Sequence, residues 1–152
     1  MPDPVTFDPE AVARLRRAIG RLARVLNASA MSEDLTPSQA SVLAIIGFRG
    51  PIGPTEVARI EGINPTMLSR IVTKLDSAGL IRRTPHPTDQ RAALLEATDA
   101  GRARTQRIRE KRSATVTAIL ADLPPTTTAT LLAALPALED LADGFDRTAA
   151  DR

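Results

Sequence analysis

The chain has no cysteine, no tryptophan and no tyrosine, and a single histidine, His86, among its 152 residues. Without thiols there is no disulfide framework, no thiolate metal site and no thiol redox switch. One histidine with no carboxylate pair near it makes a poor general base or metal ligand, and reads as a solvated side chain or a neighbour of phosphate. GPIGP at 50–54 holds two glycines but neither the lysine nor the spacing of a phosphate loop, and no nucleophile elbow occurs. No catalytic residue, metal or cofactor is therefore expected, and the chain is not expected to be an enzyme. No apolar run approaches the length that spans a bilayer, and MPDPVTFDPE lacks the charged start and apolar stretch of a secretory signal. A soluble cytoplasmic protein is the expectation.

Scarcity also constrains the core. Phe7, Phe48 and Phe145 are the only members of the Phe, Tyr and Trp group, so Leu, Ile, Val and Ala must fill the interior, which favours packed helices over a β-sandwich. A chain of this length is one domain, or one with an appendage, large enough to bury a real core.

What is present is unevenly placed charge. Residues 1–63 carry seven basic and seven acidic groups, residues 64–112 eleven basic against five acidic, and residues 113–152 two basic against six acidic. The excess of positive charge sits in the middle of the chain. Such a block is commonly a solvated face unless it coincides with a shape that fits a polyanion.

The helix signals supply candidate shapes. Asp8 and Pro9 open a helix over 8–27, in which Val12, Leu15, Ile19, Leu22 and Leu26 recur at spacings of 3, 4, 3 and 4. That narrow stripe suits packing inside one domain or against a second subunit. Thr36 and Gln39 form a capping box with Pro37 in the first turn, so 36–49 is expected to be a buried central helix. PTEVARIE at 54–61 and NPTMLSRIVTKLDSAG at 64–79 are two helices joined across Gly62 and Ile63, the pattern of a helix-turn-helix. Asn64 caps the second, and Gly79 is expected to end it in the left-handed conformation. Leu68, Ile71, Val72, Leu75 and Ala78 form its expected buried side, leaving Thr66, Ser69, Arg70, Thr73, Lys74 and Ser77 outside. Short hydroxyls allow close approach to a major groove, and an arginine there can address guanine through two bonds. Taken alone, this face fits an ordinary solvated helix equally well.

The segment that follows shifts the balance. LIRRT at 80–84 and AALLEA at 92–97 are strand-length runs joined by PHPTDQR, so a β-hairpin follows the helix-turn-helix as a wing. Its tip would meet a minor groove, where a long cation is favoured. Arg91 is near that tip, and Asp89 could hold its guanidinium through charge-assisted bonds. A surface ion pair of little consequence is the other reading.

The run from Leu35 to Gly101, above all LTPSQASVLAII, NPTMLSRIVTKLDSAGLIRR and DQRAALLEATDAG, resembles the MarR family of winged-helix transcription regulators. That family's pattern is a helix ending in Leu, then Gly-Leu and Arg, an Asp-any-Arg wing, and a Thr and Gly opening the next helix. Leu75, Gly79, Leu80, Arg83, Asp89, Arg91, Thr98 and Gly101 occupy those places. The resemblance implies a mainly α protein: a winged helix-turn-helix lobe with a small β-hairpin wing, flanked by N- and C-terminal helices that form a dimerisation module. The expected division is residues 1–34 as dimerisation helix, 35–100 as DNA-binding lobe and 101–152 as the remaining dimerisation helices. It further implies a homodimer on pseudo-palindromic double-stranded DNA, a repressor by expectation, with Thr66, Ser69, Arg70, Thr73, Lys74, Arg83, Asp89 and Arg91 as DNA-binding residues. Ala97 stands where the family carries Leu, which predicts a less firmly anchored strand.

The remaining sequence fits dimerisation. Thr98 caps a helix running to about Leu123, whose early part crowds Arg102, Arg104, Arg107, Arg109, Lys111 and Arg112. Such like charges repel unless phosphates or the acidic end of the chain lie near. PPTTT at 124–128 opens a final helix with Leu131, Leu132, Leu135, Leu138, Leu141 and Phe145, in which Pro136 should produce a kink. Pairing with a second copy would bury these stripes and set the two groove-binding helices one DNA turn apart, roughly 34 Å.

Members of the family are often released from DNA by small aromatic or phenolic ligands held between the dimer helices and the winged lobe. Here such a pocket, for an aromatic or apolar ligand, would be aliphatic, with Leu15, Ile19, Leu43 and Ile46 as lining and Arg16 or Arg17 as counter-ion. The alternative to a DNA-binding regulator is a non-enzymatic helical protein-interaction module that keeps a winged shape without binding DNA.

Overall fold

The structure is a computed structural model that describes residues 6–31, 33–89 and 92–150. Helix α1 (Pro9–Met31) starts as expected, with the Glu10 amide donating to Asp8 Oδ1 at 3.1 Å. It runs past Asn27 to Met31, because no stop signal intervenes and Ala28 and Ala30 are strong helix formers. Helix α2 (Pro37–Arg49) carries the complete capping box: Gln39 N donates to Thr36 Oγ1 and Thr36 N to Gln39 Oε1. It is the central helix. Val42, Leu43 and Ile46 are fully buried on it, and it packs against α1 as well as the elements that follow.

Helix α3 (Pro54–Glu61) and helix α4 (Pro65–Ser77) lead into strand β1 (Ile81–Pro85), which pairs antiparallel with β2 (Ala93–Ala97), Ile81 opposite Ala97 and Arg83 opposite Leu95. Ile52 adds a single bridge, exchanging both backbone hydrogen bonds with Leu95 at 3.0 and 2.8 Å, so the hairpin is pinned to the segment between α2 and α3. Gly79, with φ +69°, lets the chain leave α4 and start β1. Ala97, expected to anchor its strand less firmly than a leucine, faces α2 closely. Ala97 is buried, and a Cβ on Gly47 of α2 would stand 3.9 Å from its methyl group, so a small residue suits this close approach.

Helix α5 (Asp99–Asp122) begins at the Thr98 cap, whose hydroxyl accepts from Gly101 N at 3.1 Å and donates to Gly79 O at 2.7 Å. The buried core extends from Leu35 to Ile108, so α5 starts within the winged lobe and leaves it. The last part of the chain is two helices, α6 (Pro125–Ala133) and α7 (Leu135–Ala150), where one kinked helix was expected. Pro136 has no amide hydrogen to continue α6, and the division falls just before it. The stripes of the terminal helices stay open: Val12, Leu15, Ile19 and Leu22 on α1, Val116 and Ile119 on α5, Leu135, Leu138 and Phe145 on α7 are all exposed. Among the described residues, no helix is long and apolar enough to cross a membrane.

The crowded cations of α5 are met from an unexpected direction. Glu33, in the turn between α1 and α2, has a side chain only 10% exposed and faces Arg107 Nε at 3.0 Å, Arg104 Nε at 3.4 Å and the Lys111 ammonium. Its backbone oxygen also accepts from Arg104, and Arg112 donates to Leu26 O of α1. Glu33 thus neutralises three of these cations, and Arg102 is paired separately with Asp99 at 2.6 Å; among the described residues, none of these contacts involves the acidic end of the chain. Hydrogen bonds from Lys111 and Arg107 hold the Glu33 carboxyl below the ordinary carboxylate range. A depressed carboxyl stabilises the fold fully above its unfolded value and loses that contribution as pH falls through the folded one. Glu33→Gln should thus melt below wild type near neutral pH, with the gap closing in acid; thermal melts at about pH 7 and about pH 3 check this.

Candidate nucleic-acid interface

Helix α3, the turn through Gly62 and Ile63, and helix α4 form a helix-turn-helix. The Met67 amide donates to Asn64 Oδ1 at 2.8 Å, and Pro65 fills the first helical position, so local chemistry starts α4 where its face can be presented. Leu68, Ile71, Val72 and Leu75 are buried against the lobe. Ala78, expected among them, is exposed, since the helix ends at Ser77 and the chain has begun its turn toward Gly79.

Thr66, Ser69, Arg70, Thr73, Lys74 and Ser77 are all exposed on the other side. Among the described residues, Arg70 and Lys74 carry no ion pair or hydrogen bond, and as like charges one turn apart they repel, which a polyanion would relieve. A groove of about 610 Å³ lies along this face, lined by Gln39, Ser69, Arg70, Thr73, Lys74 and Ser77 together with Ile71. Gln39 was not anticipated here. Its oxygen is used by the capping box, but that leaves its amide hydrogens for the groove, and the cap role gave no signal of a second one. Thr73 Oγ1 donates to Ser69 O at 2.9 Å, so it offers lone pairs outward and suits a base amino group better than a phosphate oxygen.

The hairpin stands beside this groove. Arg83 reaches back to Asp76 of α4 at 3.7 Å and lines a smaller cleft of about 160 Å³ with Pro54, Thr55, Pro65 and Ser69, so it braces the wing against the reader helix. Arg82 is neutralised across the strands by Glu96 at 2.8 Å. Asp89 is exposed in the connecting loop, its carbonyl accepting from Ala92 N at 3.0 Å. Arg91 lies outside the described residues, and so does its pairing with Asp89.

A model of the MarR family matches residues 35–93. An uncharacterized HTH-type transcriptional regulator of Mycobacterium bovis is 30% identical over 94 residues, 62% of this chain and 66% of that protein. The multiple antibiotic resistance protein MarR of Salmonella typhimurium is 34% identical over 80 residues, 53% of this chain and 56% of that one. The match thus spans less than two thirds of either relative's length. The solved structure of RV1404 from Mycobacterium tuberculosis superposes with a TM-score of 0.76 at 27% identity, over 91% of this chain and 97% of that chain. Residues 35–93 of the chain are a MarR-family segment.

The residues expected to line a ligand pocket are not brought together. Leu43 and Ile46 are fully buried in the core, whereas Leu15, Arg16 and Ile19 are exposed on α1, and Arg17 is paired with Glu10 at 2.8 Å. The groove that Leu15 lines is walled by α1 alone, through Ala11, Arg14, Arg17, Ala18 and Arg21. Helical periodicity marked Leu43 and Ile46 as apolar but could not tell a core contact from a cavity wall. A different cleft, of about 240 Å³, opens between α2 and α5, lined by Phe48, Gly47, Arg102, Thr105, Gln106 and Arg109 together with Ala44. Thr105 Oγ1 is buried with no described hydrogen-bond partner, and Phe48 is 83% exposed.

Proposed function

We propose that the chain is a sequence-specific transcriptional regulator, a repressor and not an enzyme, that acts in the cytoplasm as a homodimer on pseudo-palindromic duplex DNA. The observation that carries this reading is the exposed face of α4, with short hydroxyls beside Arg70 and Lys74, lying along an open groove beside a hairpin. In this reading residues 35–100 read DNA, while 1–34 and 101–152 supply the dimer contacts. Ser69, Arg70, Thr73 and Lys74 enter the major groove, Thr66 approaches the backbone, Arg83 and Asp89 support the wing, and Arg91 reaches the minor groove. Exposed apolar stripes on α1, α5 and α7 favour a two-fold partner that would cover them. Release by a small anionic aromatic ligand is assigned to the cleft between α2 and α5, with Arg109 as counter-ion, Phe48 as stacking face and the Thr105 hydroxyl as polar anchor.

Arg70→Ala tests the reading. If Arg70 contacts a base, operator binding should weaken by about 1–3 kcal/mol with relaxed preference at one position; if it contacts phosphate, the salt slope should fall by about one unit. Titrations of duplexes selected from a random pool, at several salt concentrations, separate these outcomes. Binding that ignores salt would instead favour an apolar interaction module.

A further inference from the structure

We infer that His86 is a positioning residue that holds the tip of the hairpin in its DNA-binding shape only while its imidazole is neutral, which rests on the wing contact proposed above. His86 is half-buried between Pro85 and Pro87, whose rings fix the backbone on both sides. Its Nδ1 accepts from the Asp89 amide at 3.2 Å and the Thr88 amide at 3.3 Å, with Thr88 Oγ1 also at 3.3 Å. Pro87 has no amide hydrogen, so Thr88 provides the first one after the ring, and both successive amides converge on the same nitrogen. The loop is closed at its base by His86 N to Ala92 O at 3.2 Å and Ala92 N to Asp89 O at 3.0 Å. The imidazole thus acts as the central acceptor of the turn over residues 86–89.

The requirement on protonation follows from the lone pair. A neutral ring with its hydrogen on Nε2 can accept at Nδ1; an imidazolium carries hydrogens on both nitrogens and can accept at neither. Proton uptake would set an Nδ1–H against two backbone N–H groups, so the ring must turn away or the loop must open. Other charged groups of the region are engaged elsewhere or lie in the loop itself. Arg82 pairs with Glu96, Arg83 with Asp76 of α4, and Glu56 with Arg59 on α3, and Asp89 is the acidic residue nearest to His86 in sequence. An imidazolium drawn to the Asp89 carboxylate would also turn the ring away from the two amides, so this effect has the same sign. An ordinary phosphate-side histidine has the opposite one, because its added positive charge tightens DNA binding in acid.

The experiment uses the full chain and a selected duplex at about pH 8 and about pH 5.5, a range that brackets imidazole titration. Wild-type affinity should fall about tenfold on acidification, the effect of losing two modest hydrogen bonds. His86→Asn keeps a side-chain acceptor for the amide two residues on and does not titrate, so it should bind well and equally at both pH values. His86→Ala and Arg91→Ala should be weak at both. Binding that tightens or stays level in acid, or a His86→Ala variant that binds as wild type, would overturn the inference. Absence of binding at either pH would instead overturn the DNA-binding reading. The loop is then judged without DNA: the Thr88 and Asp89 amide signals should follow the titration of this single histidine, and signals that stay fixed would sink the proposal.

Discussion

Gly101→Ala should lower the melting temperature by about 10 °C. In an exposed helix the change would gain about 1 kcal/mol, since alanine is the better helix former. Gly101 is the third residue of α5, and a Cβ there would meet Leu80 O at 2.0 Å, Leu80 C at 3.0 Å and Leu43 Cδ1 at 3.3 Å. The obstacle is backbone and cannot rotate aside. Leu80 is also held on both sides, its N donating to Leu75 O at 2.9 Å and its O accepting from Thr98 N at 3.1 Å. Yielding at Leu80 would loosen the joint between α4 and β1 together with the cap of α5. We expect a net loss of about 3 kcal/mol, at the upper end for overpacking. Gly144→Ala on α7 is the control, because only Arg147 Nη2, at 3.8 Å, stands near its Cβ position. Calorimetric melts of the two variants decide it: equal melting points would mean that α5 does not press against Leu80.

The parts legible in the sequence are those set by chemistry within a few residues. Thr36 with Gln39, Asn64 with Met67, and Thr98 with Gly101 each place a helix start, because the side chain and the amide it satisfies lie three apart. Gly79 marked the end of α4 for an equally local reason. The outer face of α4 followed from periodicity once its start was known. What escaped depends on what lies opposite. Glu33 finds Arg104, Arg107 and Lys111 more than seventy residues later, and no local pattern connects them. Leu43 and Ile46 share the apolar character of a pocket wall but meet the core, and Gln39 serves a cap and a groove at once. His86 had no periodic signal. Read from sequence as a solvated side chain or a neighbour of phosphate, it instead collects the amides of its own turn.

Ile19→Asp should leave a monomer at micromolar concentration and weaken binding to a two-half-site duplex by about a hundredfold or more. Ile19 is 37% exposed in the single chain and lies in the middle of the stripe formed by Val12, Leu15 and Leu22. A two-fold interface is self-complementary, so each substitution would be buried twice, once from each copy. An unpaired carboxylate in an apolar contact costs several kcal/mol, enough to separate the copies. The winged lobe has its own core from Leu35 to Ile108, so it should remain folded and keep its contacts with one half-site. Wild type and variant should therefore converge on a single half-site and part company when a second is added one helical turn away. Arg16→Ala, exposed on α1 but off the stripe, should leave both assembly and binding intact. Sedimentation equilibrium with paired one-site and two-site titrations gives both readouts. A dimer that survives Ile19→Asp would move the two-fold contact off α1, and undiminished two-site binding by a monomer would show that the lobes need no partner to read DNA.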